Sequence, residues 1–208
     1  MLTTMAATGL ALSMITSGVS APASPPPPGP ITVNVVTVNG SGCPAGTTAV
    51  DVAKDNSAFT VTYSSYLAQV GPQSAPTDIR KNCQLALQIH APQGFTYAIA
   101  EADYRGFADL ASGATGMEQA NYYFQGTAPT ARVPHKFSGP FEDDWQTTDA
   151  TDVASLVFAP CGVDRLLNIN TELRVAAGSS SASSTSFMTM DSTDGSIHTT
   201  YHFEWKQC

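Results

Sequence analysis

The sequence predicts an all-β domain, an antiparallel β-sandwich with a β-barrel or jelly-roll-like closure as the alternative. Three observations carry that expectation. Short apolar alternations separated by turn residues recur from residue 31 onward, and no long segment keeps a helical period. Only 12% of the residues are charged, a balance typical of β-rich exported proteins rather than helical cytosolic ones. Cys43, Cys83, Cys161 and Cys208 are an even number with no CxxC pair, which indicates two disulfides and argues against a cysteine zinc site. With 208 residues and 42% hydrophobic content, the chain is long enough for one core and short for two.

Residues 1–23 read as a signal peptide. They run apolar and small to about Ile15, and Ala21 and Ala23 then take the spacing a signal peptidase reads, although no Lys or Arg precedes Lys54. The apolar run is too short and too interrupted to span a bilayer, and no other segment qualifies. Residues 24–30, "SPPPPGP", predict a stiff extended spacer, because proline cannot donate to a sheet. Residues 31–208 are then the single β-sandwich domain.

Along that domain "ITVNVVTVNG" alternates and ends on an Asn-Gly turn, and "TTAVDVA", "KDNS" and "AFTVTYSSY" read as strand, turn and strand. "CQLALQIHA" places Leu85, Leu87 and Ile89 on one face; "FTYAIAEADY", "NYYFQG", "ARVPHKF", "VASLVFA" and "RLLNINTELRV" continue the series. "RGFADLASGATG" is the candidate for a long connection or one helical turn, and "GSSSASSTS" for a loop. The end of the chain reads as a hairpin about Asp194-Gly195, pairing Met190 with Thr199, Met188 with Tyr201 and Ser186 with Phe203. That register puts Ile197, Tyr201, Phe203, Trp205 and both methionines on the core face. Asp191, Thr189, His198, Thr200, His202, Glu204 and Lys206 then take the polar face.

The four cysteines allow three connectivities, of which Cys43–Cys83 with Cys161–Cys208 is preferred because each pair ties a strand end to a later strand in its own half of the chain. Asn39-Gly40-Ser41 is an N-glycosylation sequon in a predicted turn.

Nine basic against seventeen acidic residues leave a net charge of −8, which argues against nucleic acid or an anionic membrane as partner. His198 and His202 lie four residues apart, roughly 13 Å along a strand, too far to share one metal. Glu142, Asp143, Asp144, Asp149 and Asp152 in "FEDDWQTTDATD" offer oxygen ligands within one predicted loop, so structural calcium is the one cation worth carrying forward, without EF-hand spacing. No other cofactor is implied: GxGxxG, Walker and GxSxG motifs are absent. Paired carboxylates among Glu101, Asp103, Glu118, Glu172 and Glu204 keep a glycoside hydrolase open, although none stands in a context that singles it out. Three rings in a row, Tyr122 to Phe124, force at least one off the core face of a regular strand. Tyr122, Tyr123, Asp143, Asp144 and Trp145 therefore form the candidate ligand surface.

The stretches "VNGSGCPAGT", "AFTVTYSSYLAQVG", "RKNCQLALQIHAPQGFTYAIAEADYRGFADL", "ANYYFQG", "LNINTELRV" and "SFMTMDSTDGSI" resemble the small secreted fungal and actinobacterial proteins grouped as domain of unknown function 4360, from about Val35 to Cys208. The resemblance implies export, two disulfides and a β-rich domain, and no activity. The resulting expectation is a secreted, non-catalytic module binding an extracellular polysaccharide or protein. A carbohydrate-active hydrolase and a structural or defensive coat protein are the alternatives.

Overall fold

Alternation along the chain becomes pairing in two antiparallel sheets. The computed structural model describes residues 25–130, 132–151, 155–190 and 198–208; the expected signal peptide and the Asp194-Gly195 turn lie outside them. The first sheet takes β1 (Thr32–Asn39), β5 (Arg80–His90), β10 (Leu167–Ala176), β7 (Thr115–Phe124) and β8 (His135–Ser138) in that order. The second holds β2 (Thr48–Val52), β3 (Ala58–Tyr63), β4 (Leu67–Val70), β6 (Phe95–Leu110), β9 (Phe141–Ala150), β11 (Ser186–Thr189) and β12 (Thr199–Gln207). The proline run expected as a spacer is tied to the body at its end: Pro27 is buried, and Asn56 Nδ2 donates to the carbonyls of Pro27 and Gly29.

β6 organises the second sheet. Its 16 residues carry β9 along one edge over Glu101–Leu110. β12 pairs with Phe95–Asp103 and β11 with Ala108 and Asp109, so both must occupy the other edge, one after the other. β3 lies against β12 and β4 against β11 in the same end-to-end fashion. The predicted β11–β12 hairpin pairing is therefore corrected: Met188 faces Ala108 and Ala68, and Tyr201 faces Ala102 and Phe59. Among the described residues the faces nonetheless stand as read, because parity along each strand decides the side whatever the partner; Asp191 and Ile197 lie outside them. Met188, Met190, Tyr201, Phe203 and Trp205 are buried, while Thr200, His202 and Glu204 lie on the outer side.

Three further expectations change. "RGFADLASGATG" is the end of β6, a tight turn and the start of β7. "FEDDWQTTDATD" is not a loop but mostly β9, since ten of its residues pair with β6. Ser155–Ala159 of "VASLVFA" forms no strand and meets β6 through the Ala159 amide on the Tyr97 carbonyl.

Between the sheets lies an aromatic core, with Phe59 stacked on Tyr201 at 5.0 Å and Tyr97, Phe203 and Trp205 in mutual contact. Edge-to-face and offset rings of this kind add to area burial. At Gly106 an added Cβ would lie 1.9 Å from the Thr189 carbonyl oxygen and 2.7 Å from the Trp145 ring. Only glycine lets β11 and Trp145 close on β6 there. The disulfides are Cys43–Cys83 and Cys161–Cys208, the preferred connectivity, closing separations of 40 and 47 residues. Loop-closure entropy makes each worth about 4 kcal/mol.

One ionisable side chain is sealed in this core. Glu118 on β7 is 0% exposed; its Oε2 accepts from Thr147 Oγ1 at 3.1 Å, and its Oε1 has no partner among the described residues. Burial first, and then the charge of Asp149, push its carboxyl up to about 8, against the lowering effect of Thr147. Asp149 in turn meets His135 Nε2 at 2.7 Å.

Three outcomes follow from this packing. A Cys208→Ser variant should lose roughly 2 to 5 kcal/mol in denaturant unfolding, and unchanged stability would refute the pinning of β12. Gly106→Ala should destabilise by about 1 to 3 kcal/mol through overpacking, read from the unfolding midpoint. Glu118 keeps its proton in the folded state at pH values where the unfolded chain has released it, so the folded state loses stability as pH rises from about 4.5 to about 8. Glu118→Gln should flatten that slope, gaining on the order of a few kcal/mol at pH 8 relative to pH 4. Parallel stability curves for parent and variant would contradict it.

Candidate functional site

The outer face of the first sheet is paved with amides. Strict alternation in β5 sends Cys83, Leu85 and Leu87 inward and Asn82, Gln84 and Ala86 outward; β10 and β7 repeat the pattern with Asn168, Asn170 and Glu172, and with Gln119, Asn121 and Tyr123. Register then aligns these side chains in rows across the sheet. Gln84, Asn170 and Asn121 make one row; Asn82, Glu172 and Gln119 the next; Ala86, Asn168 and Tyr123 flank the first on its other side. Hollows of about 560, 720 and 710 Å³ adjoin along this face, over β5–β10–β7, β1–β5–β10 and β10–β7–β8 respectively.

The floor is held in place by charge. Glu172 is 4% exposed and accepts from Arg80 Nη2 at 2.5 Å, from Arg174 Nε, and from Gln119 Nε2 at 3.3 Å. Burial pushes its carboxyl upward, but the hydrogen bonds and charges of Arg80 and Arg174 outweigh that and hold it below the usual carboxylate range. Arg132, from the loop before β8, donates through Nε to Asn121 Oδ1 at 3.1 Å. Asn170 Oδ1 is buried with no protein partner among the described residues.

The predicted surface residues do not share one surface. Tyr123 is the ring that leaves the core and stands on the amide face, whereas Tyr122 is 8% exposed and packs edge-on to Tyr201 inside the sandwich. Trp145 is 4% exposed and lies against Phe137, inside rather than on the surface. Asp143 and Asp144 are exposed on β9 in the other sheet, and as neighbours on a strand they point to opposite sides of it. Asn39 is exposed at the end of β1, opposite Gln84, on the margin of the amide face.

The same strand geometry undoes the calcium loop. Glu142 and Asp149 are held roughly 23 Å apart along β9, Asp149 turns inward to His135, and Asp152 lies outside the described residues. Among the described residues the one grouping of metal-ligand types is Glu101, Asp103 and His202, on the outer face of the second sheet. His202 Nε2 lies 3.1 Å from Asp103 Oδ2 and 4.0 Å from Glu101 Oε1, and Thr148 Oγ1 donates to Asp103 Oδ1 at 2.5 Å. Burial tends to raise the Asp103 carboxyl, but hydrogen bonds from Thr148 and His202, with the charges of His202 and Arg105, bring it below its ordinary value. Within the cluster Asp103 is satisfied by Thr148 and His202. The partners of His202 come from β6, about a hundred residues earlier, and only pairing with β6 reveals them.

Of the five carboxylates considered for acid–base work, Glu118 is sealed in the core and Glu172 is committed to two guanidinium groups. No helix among the described residues is long and apolar enough to cross a membrane.

An uncharacterized secreted protein of Arthroderma benhamiae is 35% identical over 183 residues, spanning 88% of this chain and 74% of the relative. Among solved structures, TmCBM61 in complex with β-1,4-galactotriose aligns over 86% of this chain and 89% of its own, with 11% identity and a TM-score of 0.31. The enzymatically active domain of tailspike protein 4 from bacteriophage CBA120 aligns over 86% of this chain and 19% of its own, with 9% identity and a TM-score of 0.29. Both superpositions are too loose to equate residues. Residues 29–208 match the domain of unknown function DUF4360, and the chain belongs to that family.

Proposed function

We propose that this is a secreted, non-catalytic module that binds extracellular polysaccharide through the outer face of β5, β10 and β7. The observation that supports it is the register-aligned array of amides ending at Tyr123. A sugar hydroxyl both donates and accepts, and a carboxamide presents one acceptor and two donors in a plane, so rows of Asn and Gln match a line of hydroxyls. Tyr123 adds an apolar ring face against which a pyranose can lie. Because the sheet and Glu172 hold the side chains in position, binding spends little on ordering them.

Export agrees with the two disulfides, which persist in oxidising surroundings, and with the description of the fungal relative as secreted. The sequon at Asn39 places a glycan, where the host attaches one, at the rim of the site rather than across its floor. A hydrolase would need two free carboxyls facing one sugar. On this face Glu172 is the only carboxylate among the described outward residues of the three strands, and it is ion-paired.

The test is retention of the purified protein on insoluble polysaccharides and a glycan array, with the supernatant assayed for released sugar. Retention without release is expected. Asn170→Ala and Tyr123→Ala should each weaken it about tenfold or more, consistent with loss of a central contact. Sugar release, or variants that bind as well as the parent, would overturn the proposal.

A further inference from the structure

The two outer faces of the sandwich carry opposite charge. The chain has nine Lys and Arg against seventeen Asp and Glu. Yet Arg80, Arg174, Arg132 and Lys136 all gather on or over the amide face, where Glu172 is the one acid among the described outward residues of β1, β5, β10, β7 and β8. Four positive charges stand there against one negative. On the second sheet the outward positions of β6 and β9 carry Glu101, Asp103, Asp109, Glu142 and Asp144 against Arg105 alone. A protein that is acidic overall has reserved a cationic face for the site proposed above.

Resting on that reading of the site, we infer that the polysaccharide it binds is anionic, with carboxylate or sulfate groups along its chain. Glu172 does not cancel the arginines. Its two oxygens take one N–H from Arg80 and one from Arg174, while a guanidinium has five to offer. Both side chains remain 52% exposed, Arg80 lining the hollow over β5–β10–β7 and Arg174 the one over β10–β7–β8. Glu172 is thus a positioning residue that orients two planar forks toward an incoming anion, the geometry in which Arg recognises carboxylates and sulfates best. Among the described residues Arg132 is tethered through Nε, to Asn121. Glu172, which holds both the Arg80 and the Arg174 guanidinium groups, lies opposite Gln119, two residues along β7 from Asn121, so the Arg132 tether lies roughly 7 Å along the strand from theirs. A polymer with repeated anionic residues can reach both. The amides between them fit its hydroxyls.

The experiment uses the intact purified protein in affinity electrophoresis and calorimetry with matched polymers: polygalacturonate and its full methyl ester, and dextran sulfate and plain dextran, at low and high NaCl. Removing Arg80 or Arg174 leaves Glu172 buried without its partner and endangers folding. The informative variants are therefore Arg132→Gln and Lys136→Gln, checked for an unchanged unfolding midpoint. The expected result is at least tenfold tighter binding of one acidic polymer than of its neutral counterpart. That advantage should shrink with salt and fall several-fold in each variant. Preference for polygalacturonate or for dextran sulfate identifies the anion. Equal binding of acidic and neutral forms would overturn the charge inference while leaving the polysaccharide site standing. Binding of none of the polymers, or salt-sensitive binding of DNA alone, would overturn both.

Discussion

Everything in the second sheet hangs on one strand having both edges occupied along most of its length. β6 is the template against which β9, β11 and β12 are laid, and its 16 residues are long enough to seat two later strands in line on one edge. Gly106 is where this arrangement is tightest, since the Thr189 carbonyl and the Trp145 ring both close over it. From that seating follow the positions of Tyr97, Tyr104, Tyr201 and Trp205, which supply the floor on which the first sheet rests. A rigid first sheet is in turn what makes its outer side chains a fixed array rather than a set of mobile polar tips.

The two buried glutamates show how environment divides one chemistry into two roles. Glu118 and Glu172 are both on strands of the first sheet and both almost fully hidden, one turned inward and the other outward. Glu118 is buried and faces the like charge of Asp149, so despite the Thr147 hydroxyl it holds its proton to about 8 and serves as a neutral polar group in the core. Glu172 meets two guanidinium groups and stays ionised. Neither is free to shuttle protons to a ligand: the first is unreachable, the second committed.

Charge is sorted at the level of whole faces as well. A net charge of −8 says only that the molecule repels polyanions at long range. Sheet register decides that the few cations are concentrated on one side, where at close range the local field opposes the overall one.

Much of this fold was legible in the chain. Period-two alternation foretold β1, β2, β3, β5 and β10 and the inward faces of β11 and β12, because parity depends only on the strand itself. The disulfide connectivity was preferred correctly from the halves of the chain it ties together. The partners of strands were not legible: an Asp-Gly turn signal cannot reveal that β6 stands ready to receive both β11 and β12. The same blindness misread β9, whose acidic composition resembles a loop until its alternate residues, Trp145 and Thr147 inward and Asp144 and Gln146 outward, are paired with β6. The sequence by itself determined an exported, disulfide-linked, all-β chain and showed that at least one ring of the Tyr-Tyr-Phe run must leave the core. Only the tertiary structure decided that the ring is Tyr123 and that Asn82, Gln84, Gln119, Asn121, Asn170 and Glu172 stand beside it. Their neighbourhood arises from hydrogen-bond register between strands far apart in sequence, and register is a property of the pairing rather than of any one strand.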